Sequence, residues 1–236
     1  MTHSLLLHTP ALLLTQMAQQ IQQWQTAADD KALFLRCYMM MTSNMLQAIE
    51  QQQFHDPVWV NALLHRFAHY YFIALQAYET QPQTSPQVWQ MAHNAARDPR
   101  VSAIQKMLLG VSAHINYDLV LALVDMLQPE WAQLSVEARN GRYADHCRVN
   151  EIIGRTIDAV QDEVLEPAMP LMDVVDKLMG PFDELLLSRL IARWRETVWR
   201  NAARLLATTE PQARAELLRQ IEETAVATGK FICNRY

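Results

Sequence analysis

The chain has 236 residues, of which half are hydrophobic and 19% charged, and its formal net charge is −5. That balance argues against a disordered chain and leaves no basic footprint for nucleic acid. Five glycines are few for a β-rich fold, and three widely spaced cysteines, Cys37, Cys147 and Cys233, form neither a disulfide framework nor a zinc knuckle. Reduced thiols, and with them a cytoplasmic location, are the expectation.

At the N-terminus, Leu5–Leu7 and Leu12–Leu14 carry no basic flank and are interrupted by His8, Thr9 and Pro10, which does not suit a signal peptide. No uninterrupted apolar stretch approaches the roughly 20 residues that span a bilayer, so no membrane association is expected. Helix starts are marked by Thr9-Pro10, Asp56-Pro57, Ser85-Pro86 and Asp98-Pro99, each a capping residue followed by proline at the first helical position. Thr209 before Pro211 is a looser version. Pro129 closes the helix begun at Pro99, Pro167 and Pro170 bracket a turn, and Gly180-Pro181 opens another helix. The pattern predicts helices over 10–26, 30–52, 57–80, 86–97, 99–127, 130–138, 143–165, 171–179, 181–207 and 211–228, with 166–180 as a hinge. No period-two strand or repeat interrupts them. The expectation is one all-α domain over 1–236, a bundle of about eight to ten helices around a buried central helix at 99–127, closed by the C-terminal helix 211–228.

Polar residues on apolar faces mark the candidate site, because buried polar groups demand partners. Along 30–52, Tyr38 and Thr42 face inward with Leu35, Met45 and Ile49. Within 57–80, His65 and His69 have the spacing of a two-histidine metal clamp but lie opposite the main stripe of Val60, Leu64, Phe67, Tyr71 and Leu75. Exposure is the plainer reading, and His69 is the better ligand candidate if a second seam is buried. In 99–127, His114 and Asp118 share one face, which suits two ligands of one metal or a base with its orienting carboxylate. Asp125 falls near the same line, whereas Asn116 lies about 160° away and suits a contact with another helix. Gly110, one turn before His114, suits a close helix crossing, and Gly154 suits the same in 143–165. His146 and Asn150 repeat the four-residue spacing on the stripe of Ile153, Ile157 and Val160; Asp145 and Glu151 lie off it. Arg195 sits inward with Ile191, Val198 and Trp199, while Arg189, Arg193, Arg200 and Arg204 share the outer face. An inward guanidinium needs an acceptor, for which Asp118 and Asp125 are the acidic candidates, or it clamps a substrate carboxylate or phosphate. No phosphate-binding glycine loop, GxSxG, HExxH or di-iron ExxH pair is present.

Gly110-Val111-Ser112-Ala113-His114-Ile115-Asn116-Tyr117-Asp118-Leu119 resembles the G-x-N-A-H-I-N-x-D-L signature of a family of helical domains of unknown function, with Ser112 in place of the usual asparagine. Tyr38 with Thr42, Phe54–Trp59, Phe67–Phe72, and Arg195 with Trp199–Ala202 resemble further pieces of that family over about 30–207. The resemblance implies a shared all-helical domain and highlights residues, without supplying a reaction.

Two functions compete on these residues. In one, a buried pocket serves a metal-dependent, hydrolase-like enzyme acting on a small anionic substrate, with His114 and Asp118 as metal ligands or catalytic groups, His146 or His69 as a third ligand, and Arg195 holding the substrate. A divalent metal ion is then the candidate cofactor. Tyr38, Thr42, Asn116, Asp125 and Asn150 complete its polar network. In the other, the chain is a non-enzymatic binding or interaction module whose polar network is structural. A small molecule is the expected partner of the first reading and a second copy of the chain suits the second.

Overall fold

The computed structural model describes residues 10–168 and 184–233. They form a single all-α domain of eight helices without a strand among the described residues. The helices are α1 (Pro10–Thr26), α2 (Lys31–Glu50), α3 (Pro57–Thr80), α4 (Gln87–Ala96), α5 (Ala103–Leu127), α6 (Val136–Val160), α7 (Glu184–Ala207) and α8 (Pro211–Cys233). The predicted helix 171–179, the Gly180-Pro181 start, Thr9 and most of the 166–180 hinge lie outside the described residues.

Several helix starts fall where proline did not place them. Asp56 caps α3 as expected, its side chain accepting the Trp59 N–H. Helix α5 begins four residues after Pro99, because Ser102 and Gln105 form a reciprocal capping box while Asp98 holds the preceding turn by accepting the Arg100 N–H. Ser85 does not cap α4: its hydroxyl donates to the Ala74 carbonyl, and the N–H of Gln87 donates instead to Glu222 of α8 at 2.6 Å. Glu210 rather than Thr209 caps α8, accepting the Ala213 N–H. The segment predicted as a helix at 130–138 begins as turns, and α6 starts at Val136, capped by Ser135.

Helix α5 is the centre of the bundle. It is long and apolar enough to cross a membrane, with a mean hydropathy of 1.6 in its most apolar window, yet 72% of that window is buried inside the protein. Its apolar side chains therefore have a destination in the core. Three contacts set it parallel to α2: Lys106 pairs with Asp30 at 2.6 Å, Gly110 faces Phe34, and the rings of His114 and Tyr38 lie 4.4 Å apart. Helix α6 runs antiparallel to α2, since Asn44 donates to Thr156 at 2.8 Å while Arg36, two turns earlier, reaches the Glu163 carbonyl. Within α5, residues His114–Asp118 form a π-turn. The wider i→i+5 turn rotates everything beyond it relative to an ideal helix.

The close crossing predicted at Gly110 is present: a Cβ there would clash with the Phe34 side chain, coming within 2.7 Å of its Cβ and closer still to Cγ and Cδ2. Gly154 does not repeat it, because its hypothetical Cβ meets only Ser188 Oγ at an ordinary 3.5 Å. The two glycines therefore respond oppositely to alanine. Gly110→Ala should destabilise the fold by about 1–3 kcal/mol through overpacking against Phe34. Gly154→Ala should be neutral or stabilise by up to about 1 kcal/mol through helix propensity. Urea unfolding of the two variants measures both; equal effects would contradict this packing.

Candidate functional site

His114 and Asp118 meet across the π-turn. His114 Nδ1 lies 2.8 Å from Asp118 Oδ2, and the Trp89 indole N–H donates to both carboxylate oxygens at 3.0 and 3.1 Å. All three side chains are buried, with His114 at 3% and Asp118 at 1% exposure. The imidazole lies flat on Phe67, ring centres 3.5 Å apart, with Tyr38 edge-on at 4.4 Å. Burial holds the His114 pKa below its ordinary value against the opposing pull of Asp118, and burial raises that of Asp118. In the neutral imidazole, Nδ1–H donates to the carboxylate and Nε2 keeps its lone pair. That Nε2 is buried and has no partner among the described residues, and neither does the Tyr38 hydroxyl. Thr42, buried as predicted, gives its hydroxyl hydrogen to the Tyr38 carbonyl.

A second polar group lies on α6 and α7. Arg195 is 5% exposed. Its Nε donates to Asn150 Oδ1 at 2.8 Å, and Nη2 donates to the His146 carbonyl at 2.7 Å and meets His146 Nδ1 at 3.3 Å. His146 Nε2 in turn donates to the Arg195 carbonyl at 3.0 Å. Every one of these acceptors is neutral. Among the described residues no carboxylate pairs with Arg195, and burial pulls its pKa down to about 10. The acids expected to answer it are engaged elsewhere: Asp118 with His114 and Trp89, and Asp125 with Arg66 at 2.5 Å and the Tyr70 hydroxyl at 2.6 Å. Asp125 reaches α3 as His114 does, the carboxylate going to Arg66 and Tyr70 and the imidazole to Phe67. Thus His146 and Asn150 partner Arg195, not the His114–Asp118 pair as the spacing suggested.

His114, Tyr38 and Thr42 of the first group and His146 and Arg195 of the second line one pocket of about 170 Å³, with Asp118, Trp89 and Asn150 set behind them. Its α2 wall runs from Phe34 through Tyr38 and Thr42 to Met45, a span of about 16 Å at helical rise. Leu63, Phe67, Val111, Ile153 and Ile191 supply apolar walls from four other helices. From the helix directions, Cys37, Met107 and Leu165 lie toward one end, His114 and Tyr38 in the middle, and His146 and Arg195 toward the other. Asp145 also lines the cavity, a position that sequence patterning assigned off the buried stripe. Its oxygens accept the backbone N–H groups of His55 and Asp56 at 2.7 and 2.9 Å, anchoring the approach to α3. Its partners are ninety residues away in sequence, so spacing on α6 could not reveal them.

The expected metal ligands do not assemble. Among the described residues no three His, Cys, Asp or Glu side chains converge as an ion requires. His114 and Asp118 bond to each other, His146 is occupied on both ring nitrogens, and His69 is exposed. Asn116 does not brace another helix; it donates to Ser112 Oγ, one turn back, at 3.1 Å.

Three buried histidines make the fold acid-sensitive. Burial lowers the pKa of His93 to about 3, that of His146 well below its ordinary value, and that of His114 in the same direction. Below about pH 6.5 the unfolded chain binds protons that the folded chain refuses, so stability falls as pH falls, by about 1.4 kcal/mol per unit per histidine once well below that value. Asp118 works the other way, because its raised folded pKa lets the folded state take up a proton first. With three groups against one, stability should decline from pH 7 to pH 5, and His93→Phe should flatten the decline. Urea midpoints at each pH measure this; a flat profile for the unaltered protein would contradict it.

No curated protein and no solved structure matches the chain. Residues 11–235 match a family of unknown function, DUF5995, whose span takes in the cavity, the π-turn and Arg195 alike. With nearly its whole length matched, the chain belongs to that family.

Proposed function

We propose that the chain is a binding protein for a small, mostly apolar molecule carrying one carboxylate, held in the cavity with that carboxylate on Arg195. The observation that carries this reading is a buried guanidinium, lining an apolar cavity, whose hydrogen-bond acceptors among the described residues are all neutral. A buried charge without a counter-charge is costly, and lowering the Arg195 pKa from 12.5 to about 10 corresponds to roughly 3 kcal/mol. A carboxylate recovers part of that cost through a charge-assisted hydrogen bond from Nη1, the guanidinium nitrogen that Asn150 and His146 leave unused.

The cavity supports the same reading. At about 170 Å³ it is larger than the ~150 Å³ apolar cavities that admit benzene. An apolar pocket with a cation toward one end suits an amphiphile, and Met41, Met45 and Met107 adapt its walls. Metal-assisted hydrolysis lacks a ligand set among the described residues. The free thiols of Cys37, Cys147 and Cys233 favour a reducing, cytoplasmic setting.

Octanoate and octanol share a chain of a length this volume admits and differ in charge, so thermal shift and calorimetry with both test the proposal. At a hundred times its dissociation constant, octanoate should raise Tm by about 5–10 °C, with octanol far weaker. Arg195→Met should abolish that preference while costing the ligand-free protein little stability, because it also removes the uncompensated charge; Arg195→Lys should keep part of the preference. Equal binding of acid and alcohol, binding of neither, or full carboxylate preference in Arg195→Met would overturn the proposal.

A further inference from the structure

We infer that the cavity is built for an oxygenated acid, whose hydroxyl partway along the chain sits between His114 Nε2 and the Tyr38 hydroxyl. This rests on the carboxylate reading of Arg195 and adds a second recognition point to it. A purely structural His–Asp pair would be complete once its nitrogens were satisfied. Here one imidazole nitrogen is satisfied by Asp118 and the other, on a residue that lines the pocket, is buried and has no partner among the described residues. The Tyr38 hydroxyl is likewise buried without a well-formed hydrogen bond, beside the Thr42 side chain, on a ring whose centre lies 4.4 Å from that of the imidazole. Two neighbouring buried polar groups without partners each carry a desolvation penalty that a suitable ligand removes.

Their chemistry is complementary. Burial pushes the Tyr38 phenol well up, so it stays protonated and donates. The Asp118 carboxylate, held by the Trp89 N–H, fixes the hydrogen of neutral His114 on Nδ1 and leaves Nε2 as an acceptor. An acceptor beside a donor fits a hydroxyl, which gives its hydrogen to Nε2 and accepts from Tyr38. A ketone satisfies Tyr38 alone, and a methylene satisfies neither. Phe67, stacked on the imidazole at 3.5 Å, and Trp89, gripping Asp118, fix the direction in which Nε2 is presented. His114 and Tyr38 stand midway along the slot and Arg195 toward one end, which places the hydroxyl inside the chain and away from the carboxylate.

The test is a set of hydroxyoctanoates with the hydroxyl moved carbon by carbon, compared by calorimetry with octanoate and with the ketone at the best position. One internal position should bind about tenfold tighter than octanoate, the scale of one well-made hydrogen bond, with the ketone in between. Tyr38→Phe removes a single oxygen and should erase most of the ratio between the preferred hydroxy acid and octanoate, both measured in the variant. In ¹⁵N-labelled protein the His114 Nε2 resonance should move with the preferred hydroxy acid and not with octanoate. If octanoate binds but no hydroxyl position improves on it, or if the ketone equals the hydroxyl, this inference fails and the carboxylate reading stands. If no acid binds, both fall together.

Discussion

A helix without a solvent face must find partners for every polar side chain inside the protein, and α5 is such a helix. Its burial is possible because Gly110 lets Phe34 of α2 lie directly on its backbone. That contact, with Lys106–Asp30 on one side and His114–Tyr38 on the other, fixes the parallel register of the two helices. The register then decides the chemistry. It brings the tyrosine beside the imidazole, while the π-turn brings Asp118 to Nδ1 and the Trp89 indole completes the carboxylate. A disturbance at Gly110 therefore reaches the candidate site through packing, with no direct contact to a ligand.

Among the needs the core leaves unmet in the described residues are a lone pair on His114 Nε2, a hydroxyl on Tyr38 and the positive charge of Arg195; the Tyr71 hydroxyl, His93 Nε2 and Trp59 Nε1 are also buried without a partner. The first three belong to residues lining one apolar cavity. Asp125, Asp145 and Lys106 also sit in or near the core, and each is answered within the chain by a side chain or backbone amide. Three of the unmet groups thus meet at this pocket, while Tyr71 and His93 lie outside its lining. Unmet groups gathered beside open space are a cost that proteins ordinarily carry for function, because net stability is only about 5–15 kcal/mol.

Much of the fold is legible in the order of residues. Helical periodicity, the Asp56-Pro57 cap and the all-round apolar character of α5 give the all-α class and its central helix, and the wheel positions of Arg195 and of the outer arginines hold in the structure. What fails does so for long-range reasons. Glu222 caps α4 from another helix, so Ser85 turns aside, and Asp145 finds its amides across the bundle. Asp118 and Asp125 are the acidic candidates for Arg195 in the sequence, but His114 and Trp89 take Asp118 while Arg66 and Tyr70 of α3 take Asp125. Inward direction is a local property, whereas the identity of a partner depends on register between helices.

The most direct measurement is a crystal structure of the protein with octanoate bound. The alkyl chain should lie along the α2 wall between Met45 and Phe34, with the carboxylate within about 3 Å of the Arg195 guanidinium. A carboxylate held away from Arg195, or a ligand bound outside this cavity, would contradict it.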